Sequence, residues 1–191
     1  MDISELYAKI IPPLDYQHRN GVTTHHLIDQ LSDDEKKEVE KKLIENVTII
    51  PRGVDDLIVD NLVHLKAKES VPALRSMLDK VEDHDKIMIA WAIYAIDQDN
   101  SMVQIAINSI RNIQNPYTLL HLFSYLAKFK LPETDEELRK HLTHKNEFVR
   151  YNASRYLGLE PLFGNDENVV FADNRSVSSK IKNYFRRLLN R

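Results

Sequence analysis

Apolar positions from residue 54 onward recur at the spacing of amphipathic helices, and these helices come in pairs. In residues 55–65 the apolar side chains lie three or four positions apart, which places them on one side of a helix. A second helix follows a short polar turn, and its start is marked by Ser70 and Pro72. Two more pairs and the first helix of a fourth continue this plan to Gly158. The pattern predicts a run of helical hairpins.

The predicted hairpins return at a nearly constant interval. The last core residues of the four first helices are Leu65, Ile96, Leu126 and Leu157, and the intervals are 31, 30 and 31 residues. One hairpin buries only one side of its apolar surface, so a constant period indicates hairpins that stack on each other. The sequence therefore predicts an all-α fold in the form of a short α-solenoid. An irregular helical bundle with coincidental spacing is the alternative.

The residues before the repeats predict helices of their own. Residues 4–11 have helical spacing and end at a Pro-Pro pair. Thr23 or Thr24 is expected to cap a short helix that runs through Leu31. Ser32, followed three positions later by Glu35, predicts a capping box at the start of a longer helix.

Two segments of the repeats resemble the HEAT-repeat family. The sequence FVRYNASRYLG at residues 148–158 is similar to the first-helix pattern V-R-x-x-A-x-x-x-L-G of that family. ESVPAL at residues 69–74 is similar to the A-V-P-x-L opening of its second helix. The resemblance covers residues 54–158, although the middle repeats lack the Val-Arg pair. It implies a right-handed solenoid of HEAT-like hairpins whose inner surface, formed by the second helices, binds a protein or peptide.

The chain is predicted to have four parts. Residues 1–53 form an N-terminal helical region packed on the solenoid, residues 54–160 the repeats, residues 161–178 a loop or linker, and residues 179–191 a basic amphipathic helix. In that last helix the apolar side chains share one face, and the cations on the rest are Lys180, Lys182, Arg186, Arg187 and Arg191. The first four are the candidate contacts to a membrane or an acidic partner. Such a helix either caps the open end of the solenoid or contacts an anionic membrane or an acidic partner. Capping is the favoured interpretation.

Composition agrees with a helical protein and limits its chemistry. The chain has only 4 glycines, fewer than the tight turns of β-sandwiches and barrels need, and no cysteine, which excludes disulfides and thiolate nucleophiles. The N-terminus from Met1 to Glu5 lacks the basic-then-apolar order of a signal peptide. No apolar run approaches the ~18 residues of a membrane-spanning helix. We therefore expect a cytoplasmic protein.

The net charge of −3 is unevenly divided, since residues 171–191 carry +5 and the remainder −8. An acidic body argues against nucleic-acid binding along the repeats, because phosphate is repelled by such a surface. Some helical relatives of the HEAT family excise damaged DNA bases. That activity would require a basic inner surface with aromatic side chains. The predicted second helices carry mixed charges instead, so DNA processing ranks last.

Histidine is the natural place to look for a metal or catalytic site. His141 and His144 lie three positions apart and can share a helix face, but a metal would need further ligands that the sequence does not indicate. Gly-rich phosphate loops and nucleophile motifs are absent from the sequence. We expect no catalytic residue, no cofactor and no metal.

These observations favour a non-catalytic adaptor or regulatory module that binds a protein or peptide. Bacterial proteins of this size and build also serve as immunity-type or scaffold proteins. Aromatic and arginine side chains dominate binding hot spots. The candidate contact residues are Arg75, Arg111, Arg139, Tyr151 and Tyr156. The alternatives are peripheral membrane association through residues 179–191 and, last, DNA processing.

Overall fold

A computed structural model describes residues 2–15, 18, 22–50 and 53–159. These residues are mostly helical, with ten α-helices and one small antiparallel hairpin among them, so the prediction of an all-α protein is confirmed. The chain forms two compact units. Unit 1 comprises Met1–Ser109 and unit 2 begins at Ile110.

Unit 1 holds most of the helices. They are α1 (Ile3–Ile10), α2 (His25–Asp29), α3 (Asp33–Asn46), α4 (Asp56–Leu65), α5 (Val71–Leu78), α6 (Asp83–Asp97) and α7 (Ser101–Arg111). The last two residues of α7 already belong to unit 2. The hairpin β1 (Ile49–Ile50) and β2 (Gly53–Val54) lies between α3 and α4, and a 3-10 turn (Lys68–Ser70) precedes α5.

The predicted capping box at the start of α3 is present. The Glu35 backbone N–H donates to the Ser32 hydroxyl (3.4 Å), and the Ser32 N–H donates to the Glu35 carboxylate (2.9 Å). The Ser32 N–H and the Ser32 hydroxyl (2.8 Å) both donate to the Glu35 carboxylate, and this lowers the pKa of Glu35. The helix buries Val39 and Leu43 and packs between α1 and α4. Helix α3, in the predicted N-terminal region, therefore contacts α4, the first helix of the predicted repeats.

Two predicted hydroxyl caps are wrong. Thr24 precedes α2, but its buried hydroxyl exchanges hydrogen bonds with the Asn61 amide of α4 (3.0 and 3.2 Å) and makes no cap. The Ser70 hydroxyl donates to the Ala67 carbonyl (2.6 Å) and does not accept from α5. In both cases a buried hydroxyl needs a hydrogen-bond partner. Thr24 finds it in the packed helix α4, and Ser70 finds it in the backbone three residues earlier.

Polar contacts tie α2 to α4 beside the Thr24–Asn61 pair. The rings of His25 and His64 stack with centroids 4.0 Å apart. Each imidazole faces a carboxylate of the opposite helix, with His64 Nε2 2.7 Å from Asp29 Oδ1 and His25 Nε2 2.8 Å from Asp60 Oδ2. These contacts hold α2 against α4, since a helix of five residues buries few apolar side chains of its own.

Helix α6 forms the centre of unit 1. Every residue from 87 to 93 is buried, including Trp91, as the apolar sequence of this helix predicts. Both α4 and α5 pack against it. At its start, the Asp85 carboxylate accepts from the Val54 N–H (3.0 Å) and so joins α6 to the hairpin. Gly53 has φ +107°, and a Cβ there would collide with this carboxylate, so glycine is required.

Unit 2 contains α8 (Pro116–Lys128), α9 (Pro132–Arg139) and α10 (Glu147–Tyr156), with a 3-10 turn (Lys140–Thr143) after α9. The α-helical geometry of α9 therefore ends at Arg139, and the chain tightens into the 3-10 turn that follows. Gly158 ends α10 in the left-handed region (φ +68°), as predicted. The Leu159 N–H then donates to the Ser154 carbonyl (2.8 Å), which is the hydrogen bond of a Schellman cap.

Successive first helices of the predicted hairpins pack against each other within each unit. In unit 1 the first helix α4 lies against the next first helix α6, and in unit 2 α8 lies against α10. Helix α9 contacts both α8 and α10. A continuous solenoid through residues 54–160 stays a prediction, as does its division from residues 1–53 and 161–178.

Candidate functional site

Arg75, a predicted contact residue in α5, is bound to the turn between α6 and α7. Its guanidinium forms salt bridges with Asp99 and, at 3.7 Å, Asp97. The pKa of Asp99 is lowered to about 2, first by hydrogen bonds from Ser101 and to a smaller extent by the hydrogen bond from Arg75. The side chain of Arg75 keeps partial exposure, but its charge is already neutralised within unit 1.

Arg111, at the end of α7, is paired in the same manner. Its Nε and Nη2 donate to Glu137 Oε2 (3.0 and 2.7 Å), and Lys140 Nζ donates to the same oxygen (2.7 Å). Burial raises the pKa of Glu137, but the hydrogen bonds and charges of Arg111 and Lys140 outweigh it and hold the pKa below its usual value. This arginine therefore compensates a buried carboxylate in unit 2.

Arg139 is exposed at the end of α9, and no described residue pairs with it. It lies on the most acidic helix of unit 2, since the sequence PETDEELR carries four carboxylates and one cation. The exposed Glu133 and Glu136 belong to this helix. In unit 2, the second-helix surface that the HEAT resemblance implies for binding is therefore mainly acidic.

Tyr151 and Tyr156 are both half-buried on α10. The guanidinium of Arg155 lies 5.7 Å from the ring centroid of Tyr156, which is a cation–π distance. Each of these two candidate contact residues exposes part of its surface.

The most exposed large apolar side chains of the described residues were not predicted. Tyr117 is 70% exposed in α8 and Phe148 is 53% exposed in α10. Each follows an asparagine cap by two positions. Asn115 Oδ1 accepts from the Tyr117 N–H and Asn146 Oδ1 from the Phe148 N–H, both at 2.9 Å. Among the described residues the motif Asn-x-aromatic thus occurs twice, 31 residues apart.

The two aromatic residues begin equivalent stripes along neighbouring helices. Positions four, seven and eleven residues further on lie on the same helix side. The stripes consist of Tyr117, His121, Ser124 and Lys128 in α8, and of Phe148, Asn152 and Arg155 in α10. All seven residues are exposed or half-exposed, and we call them the aromatic-basic face.

Each stripe lies opposite the buried side of its helix, which is formed by Leu122 and Leu126 in α8 and by Val149 and Ala153 in α10. Short connections reverse the chain after α8 and again after α9, which gives α8 and α10 the same direction. Because the two helices pack side by side, we infer that both aromatic side chains lie at one end of the face and both cations at the other.

The aromatic-basic face carries positive charge and no carboxylate. Helix α8, PYTLLHLFSYLAK, has one lysine and no acid, and α10, EFVRYNASRY, has two arginines and one glutamate. Lys128 Nζ lies 4.6 Å from the ring centroid of Tyr125. The Arg150 guanidinium donates to the carbonyls of His144 (2.7 Å) and Lys145 (3.2 Å), so its charge is fixed beside α10 without a carboxylate.

Two histidines of unit 2, His141 and His144, lie near each other. The rings of His141 and His144 lie 6.4 Å apart between centroids, and His141 packs at 4.9 Å on Phe123, where burial lowers its pKa. Among the described residues, no group of three or more potential ligands is placed to hold a metal ion.

An open groove lies on α3 in unit 1. It has a volume of about 290 Å³, and its lining includes Ile44, Glu40 and Glu69. Burial, together with the charge of Glu69, raises the pKa of Glu40. Its polar lining consists of carboxylates and of the amino groups of Lys37 and Lys41, with neither a histidine nor a hydroxyl side chain among the lining residues.

Lys180, Lys182, Arg186 and Arg187, the cations of the predicted C-terminal helix, lie outside the described residues. Within the described part of the chain, no helix is long and apolar enough to cross a membrane.

Comparison with protein-family models, with curated proteins and with solved structures finds no match for this chain. The similarity to HEAT repeats therefore stays a prediction based on the residues quoted above.

Proposed function

We propose that this protein is a cytoplasmic, non-catalytic module that binds a protein or peptide, and that its partner binds on the aromatic-basic face of unit 2. The observation that carries the proposal is the exposure of Tyr117 and Phe148 at equivalent positions of two packed helices. A module that binds a partner without catalysing a reaction would serve as an adaptor or a regulatory protein, of the scaffold or immunity type.

Exposed aromatic rings on rigid helices are well suited to binding. Tyrosine and phenylalanine bury a large area at little cost in side-chain entropy, and aromatic residues are enriched at the centres of protein interfaces. Here both rings sit in the first turn of a helix that an asparagine cap holds in place. A partner would find these anchors already positioned, which lowers the entropic cost of association.

The charge distribution favours this face over the second helices. Arg75 and Arg111, two of the predicted contact residues, are neutralised by carboxylates of the chain itself. Arg155, by contrast, lies on the aromatic-basic face against a tyrosine ring. In a HEAT-like solenoid the inner surface would be the alternative binding site, and Arg139 its remaining unpaired cation.

Site-specific photo-crosslinking in cells of the source organism tests the proposal. A benzophenone amino acid replaces Tyr117 or Phe148 in the full-length chain, and Glu38, an exposed residue of α3 in unit 1, serves as the matched control position. We expect irradiation to yield the same discrete adduct from positions 117 and 148 and none from position 38. Adducts from all three positions alike, or from position 38 alone, would contradict the proposed site.

Membrane association is the second candidate function, because residues 179–191 have the sequence pattern of a basic amphipathic helix. Co-sedimentation with vesicles that contain anionic lipid tests it. Binding that is lost when Lys180, Lys182, Arg186 and Arg187 are all replaced by glutamine would support it. The same variant would keep the crosslinks at positions 117 and 148 if the partner binds on unit 2.

A further inference from the structure

We propose that His144 makes partner binding sensitive to pH, because its neutral imidazole holds the cap that positions Phe148 and its protonation releases that cap. This inference rests on the proposed function and concerns the regulation of the same site. His144 directly follows the 3-10 turn of unit 2 and lies two residues before Asn146, the cap of α10. Asn146 Oδ1 in turn accepts from the Phe148 N–H (2.9 Å).

The contact that carries the inference is a hydrogen bond from the Asn146 backbone N–H to His144 Nδ1 (3.0 Å). An imidazole nitrogen accepts a hydrogen bond only while it carries no proton, so the ring is neutral here and its proton is on Nε2. Protonation would place an N–H group on Nδ1, opposite another N–H group. The ring would then have to turn away, and the Asn146 N–H would lose its acceptor.

The cap of α10 depends on this imidazole because its own helix supplies no substitute. In the capping box of α3, the N–H of the cap residue Ser32 donates to the carboxylate of Glu35, three positions later. The corresponding residue of α10 is the apolar Val149. Among the described residues, the His144 ring is therefore the acceptor for the Asn146 N–H.

The equivalent cap of α8 has no such dependence. The residue two positions before Asn115 is Ile113, whose side chain does not titrate. Asn115 nevertheless accepts from the Tyr117 N–H at the same distance as its counterpart in α10 (2.9 Å). A fall in pH should therefore loosen the cap beneath one of the two aromatic anchors and leave the other cap in place.

The charged groups on either side of His144 do not stabilise an imidazolium. Arg150 of α10 donates to the carbonyls of His144 (2.7 Å) and of Lys145 (3.2 Å), so a guanidinium and an ammonium group belong to the same segment. Glu147, the acid of α10, is exposed, and no carboxylate of the described residues pairs with the His144 ring. The bonds from Arg150 do not depend on the imidazole, so protonation removes one of two restraints on the segment.

The 3-10 turn, α8 and α9 contribute the other neighbours. The ring of His141 in the turn lies 6.4 Å from that of His144 between centroids. Burial against Phe123 of α8 lowers the pKa of His141, and the charge of Glu137 in α9 opposes this effect. The Glu137 carboxylate already accepts hydrogen bonds from two cations, so it is not free to neutralise a protonated His144.

NMR of the free full-length protein tests the mechanism without a partner. Long-range proton–nitrogen correlation spectra at pH 7.5 should show the proton of His144 on Nε2. Between about pH 8 and pH 5, where histidine titrates, the amide signals of Asn146 and Phe148 should shift together with that ring. They should not do so in His144→Asn, whose Oδ1 can accept the same hydrogen bond but does not titrate. A proton on Nδ1 at pH 7.5, or the same amide shifts in this variant, would overturn the inference.

Peptide affinity tests the consequence for the site. The probe is a histidine-free peptide selected by display on the full-length protein at pH 7.5. From pH 7.5 to 5.5 the wild type should lose about two- to tenfold more affinity than His144→Asn, as expected for one hydrogen bond. The comparison with this variant cancels the titration of His121, which belongs to the aromatic-basic face. The matched control His26→Asn removes an exposed histidine of unit 1 and should keep the pH dependence of the wild type.

Failure of the site and failure of the regulation give different results. A peptide that binds Tyr117→Ala/Phe148→Ala as well as the wild type would contradict the proposed binding site. A peptide that requires both aromatic residues, but whose affinity changes equally with pH in the wild type and in His144→Asn, would leave that site in place and overturn only this inference. Loss of the pH dependence in His26→Asn would also overturn it.

Discussion

The carboxylate of Glu137 is the clearest case of a single residue whose surroundings determine its protonation. Its side chain is only 4% exposed, yet three donors from Arg111 and Lys140 converge on one oxygen. A buried carboxylate without such partners would be costly, whereas here the partners are half-exposed and keep contact with water. The pair joins α7 to α9 within unit 2.

Replacement of this residue should have an effect that depends on pH. The pKa of Glu137 is lower in the folded protein than in the unfolded chain, so its contribution is present above the unfolded value and is lost as the pH falls through the folded value. We expect Glu137→Gln to lower the free energy of unfolding by about 1–3 kcal/mol at pH 7. The difference from the wild type should shrink towards pH 3.

Urea unfolding at pH 7 and pH 3 measures this difference. Glu136→Gln is the matched control, because Glu136 directly precedes Glu137 in the same helix and its side chain is exposed. The control should be close to the wild type at both pH values. An equal loss for Glu137→Gln at pH 7 and pH 3 would mean that ionisation of this carboxylate plays no part in stability.

Among the helices of unit 2, α8 and α10 each begin at an asparagine cap, and these caps also position the candidate site. Asn146 Oδ1 accepts from the backbone of Phe148 (2.9 Å) and of Val149 (3.3 Å), and Asn115 does the same for α8. The residue two positions after each cap is the exposed aromatic side chain. The cap therefore fixes the backbone that carries the proposed anchor.

Loss of the cap should cost stability, and a carboxylate should restore it. We expect Asn146→Ala to lower the free energy of unfolding by about 1 kcal/mol. Asn146→Asp should retain stability, since its oxygen accepts the same hydrogen bonds and its charge is favourable at a helix N-terminus. Thermal unfolding followed by circular dichroism gives the comparison. Equal destabilisation by both variants would show that a feature of Asn146 other than hydrogen-bond acceptance matters.

For the molecule as a whole, local sequence signals predicted the helices well and the polar contacts between them poorly. Ser32, Asn115 and Gly158 mark helix ends by interactions within a few residues, and the structure has those ends. Arg75 and Arg111 instead meet acids that are 24 and 26 residues distant along the chain. Such distances are set by packing, which the periodicity of one helix does not specify.

The candidate site was only partly predictable for the same reason. The apolar stripe of α8 implied that Tyr117 lies on the opposite side from the core, and the repeated Asn-x-aromatic motif of Tyr117 and Phe148 was visible in the sequence. What the sequence did not show is that more than half of each of these two side chains stays exposed. Exposure depends on the packing of neighbouring helices. Without that information, residue type alone favours arginines and tyrosines as candidate contact residues.

Amide chemical-shift mapping tests the central claim most directly. The isotope-labelled full-length protein is titrated with a peptide obtained by display on the wild type without counter-selection. The account predicts that the largest shifts fall on the aromatic-basic face, at Tyr117, His121, Phe148 and Asn152, with unit 1 unchanged. Shifts centred on α5 and α9, or confined to residues 179–191, would place the partner elsewhere and contradict the account.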